Sequence, residues 1–103
     1  MPKTQKACTI KDVLDVIGGK WSMPIIYNLS KGKLRFKEIE RTIDGINTRM
    51  LVKELKNLTA NGILTRKVYA TVPPTVEYSL TAKGNKLLPI IRSLHSWGKE
   101  YAS

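Results

Sequence analysis

One stretch of this chain, residues 44–58, restricts the fold more than any other. It opens with the turn-forming pair Asp44-Gly45, after which no Gly or Pro occurs until Gly62. Asn47 is a residue type that accepts hydrogen bonds from the first free backbone N–H groups of a helix. The apolar residues that follow have spacings of i, i+4 and i+7 and are Leu51, Leu55 and Leu58. The pattern predicts one helix with a defined beginning and end and one stripe facing a core.

A shorter amphipathic segment at residues 36–43 precedes this helix. Its apolar side chains lie on one side and are Phe36, Ile39 and Ile43. Two short helices joined by a Gly-containing turn form the helix-turn-helix pattern, here at about residues 36–61. In that motif the second helix lies in the major groove of DNA and its first residues touch base edges. A plain helical hairpin with a solvated basic face is the alternative, because short patterns of this kind recur by chance.

The charge of the chain favours a polyanionic partner. Eighteen Lys and Arg against eight Asp and Glu give a net charge of +10 and a pI near 10.0. Residues 31–67, which contain the helix-turn-helix pattern, hold ten basic and four acidic side chains and so carry +6 of that charge. DNA, RNA and an anionic membrane surface all suit a basic chain, so charge alone does not choose among them.

Length and hydropathy bound the class of protein. With 103 residues, 42% of them hydrophobic and 25% charged, residues 1–103 fit a single globular domain with one core. No apolar run approaches the roughly 20 residues that cross a bilayer. Residues 1–6 also lack the apolar centre of a signal peptide. We therefore expect a cytoplasmic protein with no membrane partner.

The sequence offers little for catalysis or metal binding. It contains one cysteine, Cys8, and one histidine, His95, which lies near the other end of the chain. A single cysteine cannot form an internal disulfide, and no HExxH, CxxC or Gly-rich phosphate-binding motif occurs. We expect no enzyme activity, no metal site and no cofactor.

Beyond Gly62 the hydrophobic period changes from 3.6 to 2, which indicates β-strands. The alternating residues are Leu64, Arg66, Val68 and Ala70 in a first strand and Val76, Tyr78 and Leu80 in a second. The pair Pro73-Pro74 lies between them and cannot belong to a paired central strand. A helix-turn-helix followed by a β-hairpin is a winged helix, with its wing at about residues 63–80. A hairpin that only covers the core is the alternative, but its polar face and prolyl tip favour a contact role.

The residues before the helix-turn-helix predict two further helices and a short extended link. Thr9 and Asp12 have the spacing of a capping box, which begins a helix at about residues 9–18. A second helix, roughly residues 23–29, has a proline that fits only its first turn. Residues 34–35 then form the extended link into the helix-turn-helix.

A final helical segment at about residues 82–102 follows Thr81, a good helix cap. Pro89 either kinks this segment or marks the first turn of a separate helix. Its apolar residues cover more than one face and are Leu87, Leu88, Ile90, Ile91, Leu94, Trp97 and Tyr101. A small domain cannot bury all of them, so we expect part of this surface to pack against a second copy of the chain.

Together these motifs resemble the HxlR family of winged-helix transcription regulators, relatives of the MarR-type fold. The matching residues are Cys8; Gly18 to Trp21; Arg35 to Glu38; Ile46 to Leu58 with Gly62; Val72 to Tyr78; Leu80, Thr81 and Gly84; Leu88 and Pro89; and Trp97 and Gly98. The resemblance implies a mainly α domain with a small β-hairpin, a winged helix-turn-helix. It also implies N- and C-terminal dimerisation helices at about residues 9–18 and 82–102, and a homodimer that presents two recognition helices to a pseudo-palindromic operator.

Side chains on the solvent face of the predicted recognition helix are the candidate DNA contacts. Arg49 is the strongest candidate for bidentate reading of a guanine, which its planar fork suits. The other expected base-edge or groove residues are Asn47, Thr48, Val52 and Lys53. The expected phosphate contacts are Arg35, Lys37 and Lys56, with Lys67 and Thr71 of the wing meeting phosphates or the minor groove. For each of them, a solvated surface side chain is the alternative.

The resemblance also suggests how the protein is controlled. We expect a homodimeric, sequence-specific repressor that a small-molecule effector or a redox signal releases from double-stranded DNA. Cys8 is a candidate redox sensor, because some family members respond to oxidants through an N-terminal cysteine, and Lys6 and Lys11 would favour its thiolate. An inert thiol is the alternative, since one cysteine leaves no resolving partner within the chain. For the protein as a whole, the alternative is a winged-helix module that binds protein or RNA without operator specificity.

Overall fold

In a computed structural model, which describes residues 8–102, helices surround one core and a small antiparallel sheet extends from it. The helices are α1 (Ile10–Ile17), α2 (Ser22–Asn28), α3 (Phe36–Thr42), α4 (Thr48–Ala60), α5 (Ala82–Asn85) and α6 (Leu88–Tyr101). The strands are β1 (Leu34–Arg35), β2 (Leu64–Tyr69) and β3 (Thr75–Leu80). This confirms the mainly helical fold with a hairpin behind the helix-turn-helix.

Side-chain caps determine where two of the predicted helices begin. The Thr9 hydroxyl accepts a bond from the Asp12 N–H at 3.1 Å, and the Asp12 carboxylate accepts one from the Thr9 N–H at 2.9 Å. At the start of α4, Asn47 Oδ1 accepts a bond from the Met50 N–H at 2.8 Å. Each cap satisfies backbone N–H groups that have no partner within the helix, so both helices begin where the sequence predicted.

The core forms where the apolar stripes of α2, α3 and α4 meet. Leu51, Leu55 and Leu58, the stripe predicted for α4, expose 1% of their surface or less. The other apolar side chains with no more than 2% exposure are Ile25, Ile26, Leu29, Ile39, Ile63 and Leu64. Because a stripe this well buried sets the rotation of α4 about its axis, it also determines which side chains face solvent.

The sheet has three strands rather than the two of a hairpin. Strand β3 lies in the centre, paired antiparallel with β2 from Leu64↔Leu80 to Tyr69↔Thr75. The short link predicted at residues 34–35 is strand β1, which pairs with the other edge of β3. The extended conformation predicted for these two residues is confirmed, but two residues are too short to show a period-2 pattern, so only the folded chain reveals which strand they pair with.

The C-terminal segment is two helices, which confirms the second alternative for Pro89. The Thr81 hydroxyl accepts a bond from the Gly84 N–H at 3.0 Å and so caps α5. Pro89 lies in the first turn of α6, where its missing N–H is not needed. A Cβ at Gly84 would lie 2.3 Å from the Ile63 carbonyl oxygen, so only glycine permits this close packing of α5.

Candidate nucleic-acid interface

The turn between α3 and α4 presents the first residues of α4 to solvent. Gly45 has a φ of +85°, in the left-handed region that favours glycine. The Trp21 ring lies 3.5 Å from the position of a Cβ on this glycine, so the turn packs closely on the core. The buried leucine stripe then holds α4 with its opposite face outward.

Every residue that the sequence predicted to contact DNA is exposed. On and beside α4 these are Asn47, Thr48, Arg49, Val52, Lys53 and Lys56. At the start of α3 and in the wing they are Arg35, Lys37, Lys67 and Thr71. Exposure agrees with a contact role, and equally with the alternative of a solvated surface.

A cleft lies between α4 and the sheet, and residues of both the predicted recognition helix and the predicted wing line it. Its volume is about 620 Å³. Its lining residues are Phe36, Val52, Leu55, Lys56, Thr59, Ala60, Arg66, Val76 and Tyr78. Val52 and Lys56 therefore face the wing across this cleft, while Arg49 and Lys53 do not line it.

Arg66 is a cleft residue that the sequence reasoning missed as a candidate contact. It pairs with Tyr78 in the sheet and is exposed. The sequence did contain an indication of this role, because Arg66 is a cation in the otherwise apolar series of the first wing strand, between Leu64 and Val68. A charge at such a position indicates a face that is only partly covered, and here Arg66 adds a second cation beside Lys56.

The face of the sheet that points away from the cleft carries a carboxylate between basic residues. Glu77 of β3 lies opposite Arg35 in β1 and opposite Lys67 in β2. It also forms an ion pair with Lys33 at 3.5 Å, and its side chain is 17% exposed. Directly opposed residues point to the same face of a sheet. Glu77 therefore offsets part of the positive charge where Arg35 and Lys67 were predicted to meet phosphates.

Two of the predicted contact residues use their hydroxyl protons within the chain. Thr48 Oγ1 donates to Glu40 Oε2 of α3. Thr71 Oγ1 donates to the Pro73 carbonyl oxygen at 2.7 Å within the wing turn. Since phosphate oxygens only accept hydrogen bonds, the Thr71 hydroxyl cannot meet a phosphate in this arrangement. The phosphate contact predicted for Thr71 would require the turn to rearrange.

The cations of α4 have no such internal bonds. Within residues 8–102, the side chains of Arg49, Lys53 and Lys56 have no ion-pair partner. In the wing, Lys67 Nζ lies 5.1 Å from the centroid of the Tyr69 ring, a cation–π contact that leaves its charge at the surface. The solvent-facing side of α4 thus carries exposed positive charge that no carboxylate within residues 8–102 pairs with.

Cys8 lies two residues before α1 and does not line the cleft. Its thiol is exposed, and Sγ lies 3.5 Å from the Thr9 carbonyl oxygen. A small cavity of about 260 Å³ adjoins it, lined by Cys8, Asp12, Val13, Val16, Ile17, Ile63, Lys83 and Leu87. The cation of that cavity is Lys83, whereas Lys11 does not line it and Lys6 lies outside the described residues.

A winged helix-turn-helix with a basic, exposed recognition helix defines a class of protein, the DNA-binding transcriptional regulators. Within residues 8–102 there is no group of three metal-ligating side chains, and no helix there combines the length and apolar character needed to cross a membrane. The chain belongs to the HxlR-like helix-turn-helix family, whose model matches residues 16–103.

Three relatives illustrate this membership. An uncharacterised HTH-type transcriptional regulator of Methanothermobacter thermautotrophicus is 46% identical over 96 residues, which cover 93% of this chain and 73% of that protein. A solved structure from Porphyromonas gingivalis W83, described as a MarR-family transcriptional regulator, has a TM-score of 0.87 and 40% identity, covering 93% of this chain and 94% of the other. The redox regulator HypR in its oxidised form has a TM-score of 0.84 and 46% identity, covering 90% of this chain and 96% of the other.

Proposed function

We propose that this transcriptional regulator is a homodimeric repressor that reads a pseudo-palindromic operator through α4. The observation that carries the proposal is the division of α4 into two faces. The leucine stripe is buried, while Arg49 and Lys53 on the opposite face are exposed and have no ion-pair partner within the described chain. A helix held in this way can enter a major groove without giving up its packing.

The proposed roles follow from where each side chain lies on the two-faced helix. Residues at the start of α4 enter the groove, and Arg49 reads a guanine through its O6 and N7 atoms. The remaining groove residues are Asn47, Thr48, Val52 and Lys53. The proposed phosphate contacts are Arg35, Lys37, Lys56 and Lys67, to which the cleft adds Arg66.

The proposed dimer would cover apolar side chains that the monomer leaves exposed. Along α6 they recur at i, i+4, i+7 and i+11, and they are Ile90, Leu94, Trp97 and Tyr101, each at least 50% exposed. On α1 the exposed apolar side chains are Ile10, Val13 and Leu14. Stripes at helical spacing on both terminal helices suit helix–helix packing between two copies.

Selection of bound sequences from a random pool of double-stranded DNA tests this function. The expected result is a motif of two inverted half-sites whose centres lie about 10 base pairs, or one helical turn, apart. Random double-stranded RNA serves as the competitor. Failure to enrich any DNA sequence, or equal binding to the RNA, would contradict operator recognition.

We further propose that oxidation of Cys8 releases the operator, as the similarity to the redox regulator HypR suggests. Within the chain no second thiol exists, so a disulfide must form with a partner copy or with a small thiol. Diamide supplies the oxidant, since it takes two electrons and two protons from two thiols as they form a disulfide.

The Cys8 prediction compares wild type with Cys8→Ser in an operator-binding titration with increasing diamide. Wild type should lose operator binding and regain it after a dithiol reductant is added, while Cys8→Ser should bind throughout. Non-reducing mass spectrometry identifies the thiol joined to Cys8. Identical titration curves for the two proteins would show that the thiol is inert.

A further inference from the structure

The hydrogen bond between Glu40 and Thr48 joins the two helices of the helix-turn-helix. Glu40 lies in α3, and Thr48 is the first residue of α4. Thr48 Oγ1 is the donor and Glu40 Oε2 the acceptor. An ionised carboxylate has no proton to give, so the Thr48 hydroxyl must be the donor in this bond.

This bond uses the only proton of the Thr48 hydroxyl. A hydroxyl has one donor and two acceptor lone pairs. While Thr48 donates its proton to Glu40, it can therefore only accept hydrogen bonds from another molecule. The Thr48 side chain is exposed at the end of α4 that leads the helix into a groove. Phosphate oxygens are themselves acceptors, and therefore they cannot bond this hydroxyl.

A phosphate is also disfavoured at this end of α4 by charge and by the helix cap. The Asn47 side chain already occupies the Met50 N–H. The Glu40 carboxylate adds a negative charge beside Thr48, which repels a phosphate at short range. A base edge is therefore the better partner for Thr48, and in the major groove the bases that offer a donor are adenine, through N6, and cytosine, through N4.

We propose that Glu40 and Thr48 form a specificity-determining pair that selects adenine or cytosine on one strand at one position of each half-site. Thr48 accepts the hydrogen bond from the amino group of the base. Glu40 is a positioning residue, which acts by holding the hydroxyl proton away from the DNA. The inference rests on the proposed function, since it requires α4 to enter the major groove.

The expected preference is modest and local. One neutral hydrogen bond contributes about 0.5–1.5 kcal/mol, which corresponds to roughly a 2- to 12-fold preference for adenine or cytosine over guanine or thymine. The remaining positions of the operator, including the guanine assigned to Arg49, keep their preferences. A change of base frequencies at one position is therefore the signature of the pair.

The experiment repeats the random-pool selection with wild type and four variants. Thr48→Val removes the hydroxyl and keeps the shape of the side chain, so it identifies the base position that Thr48 reads, while Thr48→Ser keeps the hydroxyl and should keep the preference. Glu40→Met removes the acceptor and should admit guanine and thymine at the same position. Glu40→Gln removes the charge but keeps an oxygen that accepts the hydroxyl proton, so the preference should remain.

The affinity of the Glu40 variants for DNA of any sequence separates the effect of the Glu40 charge from its effect on the orientation of the Thr48 hydroxyl. Both Glu40→Gln and Glu40→Met remove a negative charge and should bind all DNA sequences more tightly, but only Glu40→Met should lose the adenine or cytosine preference. Equal loss in both variants, or unchanged base frequencies in Glu40→Met, would overturn the pair. Circular dichroism melting confirms that each variant folds. If a Glu40 variant does not fold, the comparison of Thr48→Val with Thr48→Ser still tests whether the Thr48 hydroxyl selects a base.

The outcomes also separate this inference from the proposed function. If wild type enriches no DNA sequence, the operator function fails and the inference falls with it. If wild type enriches an operator whose base frequencies Thr48→Val leaves unchanged at every position, the operator function stands and the inference alone is overturned.

Discussion

At the scale of single residues, this surface separates side chains that are available to DNA from side chains that are already engaged. Arg49 and Lys53 are exposed without an ion-pair partner within the described chain, whereas the hydroxyls of Thr48 and Thr71 are bonded internally. Exposure alone would treat all four alike. Hydrogen-bond direction divides them into donors and acceptors, and that division decides which DNA groups each can meet.

Truncation of Arg49 and truncation of Lys37 should weaken DNA binding in different ways. Arg49→Ala should cost about 1–3 kcal/mol against the selected operator and relax the preference at one guanine. Lys37→Ala should weaken binding to all sequences alike and reduce the slope of log K against log salt by about 1. Titrations on operator and random DNA at several salt concentrations measure both. Equal loss for Arg49→Ala on the two DNAs would remove its base-reading role.

At the scale of secondary-structure elements, α4 is held by contacts with α1 and α2 as well as by its leucine stripe. Ser22 Oγ donates to Glu54 Oε2 at 2.8 Å, and Asn57 Nδ2 donates to the Val16 carbonyl oxygen at 3.3 Å. Ser22 is 1% exposed, so its hydroxyl depends on this partner. These bonds connect the recognition helix to α1 and α2, and Cys8 lies two residues before α1.

The cap of α4 provides a prediction at this scale. Asn47→Ala removes the acceptor of the Met50 N–H and should lower the free energy of unfolding by about 1 kcal/mol, whereas Asn47→Ser should be nearly neutral. Chemical denaturation monitored by circular dichroism measures the difference. Equal stability of the Ala and Ser variants would show that the cap does not stabilise α4.

At the scale of the whole molecule, the basic recognition surface and the exposed apolar stripe lie on different elements. The stripe runs along α6, and the basic face belongs to α4 and the wing. This separation would allow two copies to associate while both recognition helices remain accessible. It also predicts that association and DNA contact can be changed independently.

Charges placed on the α6 stripe should prevent association without unfolding the monomer. Leu94→Asp and Trp97→Asp put carboxylates on side chains that are 50% and 59% exposed, where a dimer would have to bury them at high cost. Ser96→Asp, an exposed position on another face of α6, is the matched control. Analytical ultracentrifugation should show monomers for the first two and dimers for wild type and the control. Dimers in all four proteins would place the interface elsewhere.

The elements that local chemistry specifies were predictable from the sequence. The caps at Thr9 and Asn47, the stripe of α4 and the period-2 wing strands depend on residues within a few positions of one another. The single-domain bounds, the dimer and the DNA roles of individual residues stay predictions, which the experiments above address. The family resemblance, carried by motifs along most of the chain, was confirmed by the match over residues 16–103.

By itself, then, the sequence determined the helices, the wing and the basic face of α4, because propensity, capping and periodicity act locally along a chain. Only the tertiary structure decided which distant groups meet. It paired β1 with β3, placed Arg66 in the cleft, placed Lys83 in the cavity that Cys8 lines and turned the Thr48 hydroxyl toward Glu40. Those contacts depend on packing between separate elements, and hydrogen-bond direction exists only once donor and acceptor have been brought together.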